Sequence, residues 1–138
     1  MEEIYKKLRE QALETRKKSY CAYSHYAVGA ALLDGDNEIT LGCNIENASY
    51  GATNCAERTA FFKAVSEGKK NFKAIAIAGG KEGEEPVDYA YPCGICRQVM
   101  REFCSVKEFK VFVVKSVDEY EEYILEELLP KSFGPENL

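Results

Sequence analysis

At 138 residues the chain suits one hydrophobic core and is too short for two. With 46% hydrophobic and 30% charged residues it matches neither a disordered nor a collagen-like composition, and its net charge of −5 disfavours nucleic acid as a partner. No apolar run approaches the roughly 18 residues of a membrane span, and Met1–Lys7 lacks the apolar stretch of a signal peptide. A cytoplasmic protein with no membrane partner is therefore expected. In that reducing compartment, Cys21, Cys43, Cys55, Cys93, Cys96 and Cys104 point to metal or redox chemistry more than to disulfides.

Ile4, Leu8, Ala12 and Leu13 recur at helical spacing and predict a helix over 3–19. Residues 27–33 and 38–45 read as an antiparallel strand pair, joined by Asp34-Gly35-Asp36-Asn37, whose residues suit the positive φ of a tight hairpin. A second helix is expected from an N-cap at Asn54 to Gly68, with Ala60, Phe61, Ala64 and Val65 on its apolar face. Residues 72–78 form a short apolar strand. The polar, acidic stretch 79–88 reads as a mobile loop bordering a site. A third helix over 93–104 precedes a buried strand at 109–114. Only Ser116-Val117-Asp118 then separates that strand from 119–124, too few residues for a parallel return, so the last two strands should be antiparallel. A short helix at 125–129 is stopped by Pro130. Strands alternating with helices give an α/β fold, a mixed five-stranded sheet in a three-layer α/β/α arrangement. With no linker or repeat, residues 1–138 are expected to form a single domain.

The densest chemistry lies at two predicted helix starts, Cys55-Ala56-Glu57 and Pro92-Cys93-Gly94-Ile95-Cys96. Helix N-termini carry unpaired N–H groups and partial positive charge, which favour thiolates. Three sulfurs leave a tetrahedral zinc one ligand short, the open position of a catalytic site, and Glu57 would be its proton carrier. Two other readings stay open on the pattern alone. Cys93-Gly94-Ile95-Cys96 has the spacing of a thioredoxin-type redox pair, and Cys43 or His25 could complete a structural zinc site. Asn44 and Glu46 stand two apart near a strand end, so both side chains should point from one face.

Cys-Ala-Glu followed by Pro-Cys-x-x-Cys is similar to the zinc deaminase signature in its three-cysteine form. The segments YSHYAVGAALL (23–33), GCNIENASYGATNCAERTAFFKAVSEG (42–68), PCGICRQV (92–99) and EELLPKSF (126–133) resemble, in order and spacing, the small homotetrameric cytidine deaminases. The resemblance implies one zinc per chain on Cys55, Cys93 and Cys96, Glu57 as proton shuttle, and Arg58 bonded to ligand sulfurs. Such a site would convert cytidine and 2′-deoxycytidine, as small-molecule nucleoside substrates, to the uridines and ammonia. It further implies that Asn44 and Glu46 hold the sugar and that Ala56 meets the base. Tyr26 would form an aromatic wall where relatives often carry phenylalanine. Phe133 would pack on the base, and Tyr50 and Asn47 would lie at a subunit junction of a tetramer with shared sites. Rival readings are a blasticidin-S-type nucleoside deaminase and a non-catalytic zinc or thiol redox module. Deaminases acting on nucleic acid fit less well, because they usually need a basic groove.

Overall fold

The strands owe their order to runs of small and β-branched residues that can be covered on both faces. The computed structural model describes every residue from Met1 to Leu138. Helix α1 (Glu2–Thr15) leads into β1 (Tyr26–Asp34) and β2 (Ile39–Cys43); α2 (Ala56–Ser66) precedes β3 (Phe72–Lys81), and α3 (Gly94–Phe103) precedes β4 (Lys110–Val114), β5 (Tyr120–Ile124) and α4 (Leu125–Leu128). The sheet order is β2-β1-β3-β4-β5, with β3 and β4 the parallel pair and the other neighbours antiparallel. The mixed five-stranded sheet and its antiparallel last pair are as expected.

Period-two alternation sorts the core into two layers. Ala30, Leu32, Ile75, Ile77, Val111 and Val113 face Ala60, Phe61 and Ala64 of α2 and Met100 of α3. Their neighbours Ala31, Leu33, Ala76, Phe112 and Val114 face Leu8 and Ala12 of α1. Helices therefore cover both faces of one sheet. No helix is long and apolar enough to cross a membrane.

Several boundaries differ from the sequence reading. Strand β3 continues through Gly79 and Gly80 to Lys81, paired with Val28, Ala27 and Tyr26, so the first part of the expected loop belongs to the sheet. Strand β2 stops at Cys43, and Ile45 instead exchanges backbone hydrogen bonds with Asn54, both at 2.9 Å. That bridge takes Asn54 away from the N-cap of α2. Cys55 holds the cap position, and the Asn54 amide donates to Thr59 Oγ1 at 3.1 Å. In the β1–β2 turn only Asn37 takes positive φ, at 62°.

Helix α2 lies directly on β2 because Gly42 has no side chain. A Cβ there would stand 2.5 Å from both the carbonyl oxygen of Ala56 and the backbone nitrogen of Ala60.

Candidate active site

Strands β2 and β3 run the same way on either side of β1, so both end at one edge of the sheet, and each is followed by a helix. The starts of α2 and α3 consequently meet. Cys55 is the N-cap of α2 and Cys93 the N-cap of α3, and Cys93 Sγ accepts from the Cys96 N–H at 3.4 Å. Cys55 and Cys93 sulfurs are 3.9 Å apart, Cys93 and Cys96 sulfurs 3.5 Å, and all three fall within 4.8 Å of one another. Zinc–sulfur bonds of about 2.3 Å in a tetrahedron set sulfurs about 3.8 Å apart, so the cluster fits zinc.

Neither suggested fourth ligand belongs to this group. Cys43 Sγ contacts the carbonyl of Lys18 at 3.4 Å, and His25, at φ 58° in the loop before β1, has Nδ1 3.1 Å from Glu82. The group consists of three sulfurs.

Charge around the cluster favours sulfur anions. Arg58 Nη2 donates to Cys55 Sγ at 3.2 Å, while its buried Nε has no partner. Hydrogen bonding from Cys96, with that from Arg58, outweighs burial and lowers the Cys55 thiol to about 5. The same Cys55 contact, together with burial, raises Cys96. A cation binding here takes the place of thiol protons. Glu57 is 5% exposed in the first turn of α2, and burial pushes its carboxyl up to about 7. A carboxyl in that range can both take and give a proton near neutrality.

A hollow of about 270 Å³ opens beside Cys55, Glu57 and Cys93, with Tyr26, Val28 and Ile77 on the sheet side. A second, of about 330 Å³, lies between Glu46, Ser24 and Tyr50 and shares Thr53 with the first. Asn44 lines the first hollow and Glu46 the second, one on each side of Ile45 in the chain, whose backbone bridges Tyr20 and Asn54.

Asn44 is buried and clasps β1: its Nδ2 donates to the Tyr26 carbonyl at 2.8 Å and its Oδ1 accepts from the Val28 N–H at 2.9 Å. One amide hydrogen and one lone pair remain for another partner. Glu46 accepts from the backbone of Tyr23 and Ser24 at 2.9 and 3.0 Å, and from the Ser24 hydroxyl. The Ser24 hydroxyl and these backbone donors hold its carboxyl below the ordinary range. Tyr26 stands at the mouth of the first hollow, its phenol raised by burial. Tyr50 is 76% exposed and meets Tyr23 edge-on, with ring centroids 6.2 Å apart. Phe133 lies outside both hollows of its own chain, 60% exposed on a tail whose backbone Gln98 grips at 2.9 Å. Sequence reasoning missed Thr53, Val28, Ile77, Ala90 and Tyr91. Thr53 and Tyr91 are each two residues from a cysteine of the cluster and could have been found that way; Val28 and Ile77 needed the β1–β3 register.

The chain matches the family model for the cytidine and deoxycytidylate deaminase zinc-binding region over residues 2–113. It is 48% identical over 132 residues to a cytidine deaminase of Sporosarcina psychrophila, covering 96% of this chain and 93% of that one. A cytidine deaminase of Halalkalibacterium halodurans is 45% identical over 129 residues, 94% of this chain and 93% of the other. The crystal structure of a cytidine deaminase from Burkholderia pseudomallei superposes with a TM-score of 0.82 at 41% identity, covering 92% of this chain and 97% of that one. Two helix starts that bring three sulfurs and an acid together are thus found in a chain that belongs to the zinc-dependent cytidine and deoxycytidylate deaminase family.

Proposed function

We propose that the chain, as one domain over residues 1–138, hydrolyses cytidine and 2′-deoxycytidine to uridine and 2′-deoxyuridine with release of ammonia. The observation that carries this reading is the buried Glu57 carboxyl at the start of α2, beside a cluster of three sulfurs. Cys55, Cys93 and Cys96 would hold zinc, which would supply the Lewis acidity that makes water a nucleophile at neutral pH.

Glu57 would take one proton from the attacking water and place it on N3 as oxygen adds to C4, then take the second proton from the new C4 hydroxyl and hand it to the amine, which leaves as ammonia. Arg58 neutralises part of the thiolate charge at Cys55, which keeps the cluster electron-poor enough for this chemistry. The backbone of Ala56 meets the base, and Tyr26 forms the flat wall beside it. Asn44, with its spare hydrogen and lone pair, and Glu46 hold sugar hydroxyls. Phe133 and Tyr50, both exposed on this protomer, reach neighbouring sites in a homotetramer. The reading places the enzyme in the cytoplasm, acting on free nucleosides and on neither nucleic acid nor membranes.

Ultraviolet absorbance on cytidine, deoxycytidine, cytosine, blasticidin S and a single-stranded oligonucleotide tests this. Turnover of the first two is expected. Turnover confined to blasticidin S or the oligonucleotide overturns the assignment, as does no turnover by zinc-loaded protein.

A further inference from the structure

The hollow beside the sulfur cluster has a side that the reaction does not use. Strand β3 carries Gly79 where a Cβ would stand 2.6 Å from the Ala90 Cβ and 3.1 Å from the Tyr26 ring. The segment leading to Cys93 therefore lies directly on the sheet, and Ala90 and Tyr91 line the hollow together with Ala56 and Glu57. Tyr91 is fixed from β5: its hydroxyl donates to Glu121 Oε1 at 2.5 Å, and the Tyr123 hydroxyl donates to the same oxygen at 2.7 Å. Its ring stands between those of Tyr89 and Tyr123, at 6.4 and 6.5 Å.

The chemistry orients a pyrimidine against these walls. The carbon that loses its amine faces the sulfurs, and N3 faces Glu57 and Ala56 at the start of α2. The opposite ring edge, C5 and C6, is then left to the other lining of the hollow, which includes Ala90 and Tyr91. We propose that Tyr91, held in place by Glu121, determines specificity by closing the space beside C5, so that the enzyme selects cytosine nucleosides without a 5-substituent. This rests on the deaminase reading above. Glu121 is a positioning residue, and its two phenols link the edge strand to the pocket wall.

The test uses full-length, zinc-loaded protein and two readouts: kcat/KM for 5-methylcytidine relative to cytidine, and calorimetric binding of 5-methyluridine relative to uridine, which involves no chemistry. Wild type is expected to disfavour both methylated ligands. Opening or closing room for one methyl in an apolar pocket changes discrimination by roughly 10–200-fold, so Tyr91→Ala should raise both ratios by about tenfold or more. Tyr91→Phe keeps the ring but loses the bond to Glu121, so it should move both ratios by a smaller factor than Tyr91→Ala. Glu121→Ala frees the ring and should move them in the direction of Tyr91→Ala by a smaller factor. If the cluster only braces β5, the variants lower the melting temperature and leave both ratios unmoved, which overturns the proposal. A wild type that accepts the methylated ligands as readily as the parents overturns it too. Should Tyr91→Ala fail to fold, Tyr91→Leu and Glu121→Ala decide by the same ratios. Absence of cytidine turnover by wild type would remove the deaminase reading and this inference together, whereas normal turnover with unmoved ratios removes this inference alone.

Discussion

Two groups of ligand-type side chains stand close enough to share a cation, the sulfurs of Cys55, Cys93 and Cys96 and the carboxylates of Asp34, Asp36 and Glu38, and they differ in what already engages their lone pairs. Asp34 Oδ1 accepts from the backbone N–H of Asp36 and Glu38 at 2.8 and 3.1 Å, and its Oδ2 accepts from Lys69 at 2.8 Å. Lys69 also pairs with Glu38. The acidic group thus has a resident cation, an ammonium, and its inner carboxylate is fully engaged in holding the β1–β2 turn. The sulfurs have one guanidinium contact and one backbone N–H, with the buried Arg58 Nε unpartnered. Spacing alone does not separate a binding site from a turn. Unused donor capacity beside a buried acid does.

The sharpest way to break this contrast is to remove a sulfur. Cys93→Ala should abolish zinc binding and turnover and lower the melting temperature by about 10 °C or more, because ligation is coupled to folding; metal analysis with a thermal melt checks it, and a stable, active, metal-free variant contradicts it. Glu57→Gln should keep zinc at wild-type content and lose about 10³-fold in kcat, within the range of acid–base catalysis, as read by the cytidine assay. Arg58→Ala should weaken zinc affinity by about 10–100-fold in competition with a chromophoric chelator.

On the acidic side, effects should be confined to stability. Lys69→Met should lower the melting temperature by about 5 °C without changing zinc content. Burial alone would raise the Asp34 carboxyl, but the Lys69 ammonium and the two backbone donors offset this and hold it below the ordinary range. Its folded value is thus depressed, so its stabilisation is complete above the unfolded value of about 3.9 and is lost as pH falls through the folded value. Wild type and Asp34→Asn should differ most in melting temperature near neutrality and converge in acid, as pH falls through the folded value. A gap that persists in acid would show that the side-chain geometry matters and the charge does not. The smallest effect belongs to Asp36→Asn, which should alter neither metal content nor melting behaviour measurably.

What was legible beforehand divides along the same line. Local pattern was enough for the sheet's helices, for the antiparallel ending forced by Ser116-Val117-Asp118, and for the convergence of Cys55, Cys93 and Cys96. Long-range pairing was less readable. The clasp of β1 by Asn44, the bridge between Ile45 and Asn54 and the extension of β3 to Lys81 all depend on which distant backbone meets which, and residue types do not encode that register. Asn54 looked like a cap because asparagine favours that position. Tertiary hydrogen bonding took it for another purpose, and a cysteine took its place. The role of Glu121 was invisible for a related reason: on an edge strand it reads as a solvated acid until the fold brings Tyr91 across to it.

Gly42 carries no reactive atom and touches neither hollow, yet the helix bearing Cys55 and Glu57 rests on its bare backbone. A single added methyl would have to lift that helix by something on the order of an ångström, and misplacement on that scale can cost about a hundredfold in rate. Mutational tolerance in this chain should therefore be low even at a position with no chemistry of its own. A survey of harmful variants that looked only near the metal would pass over it.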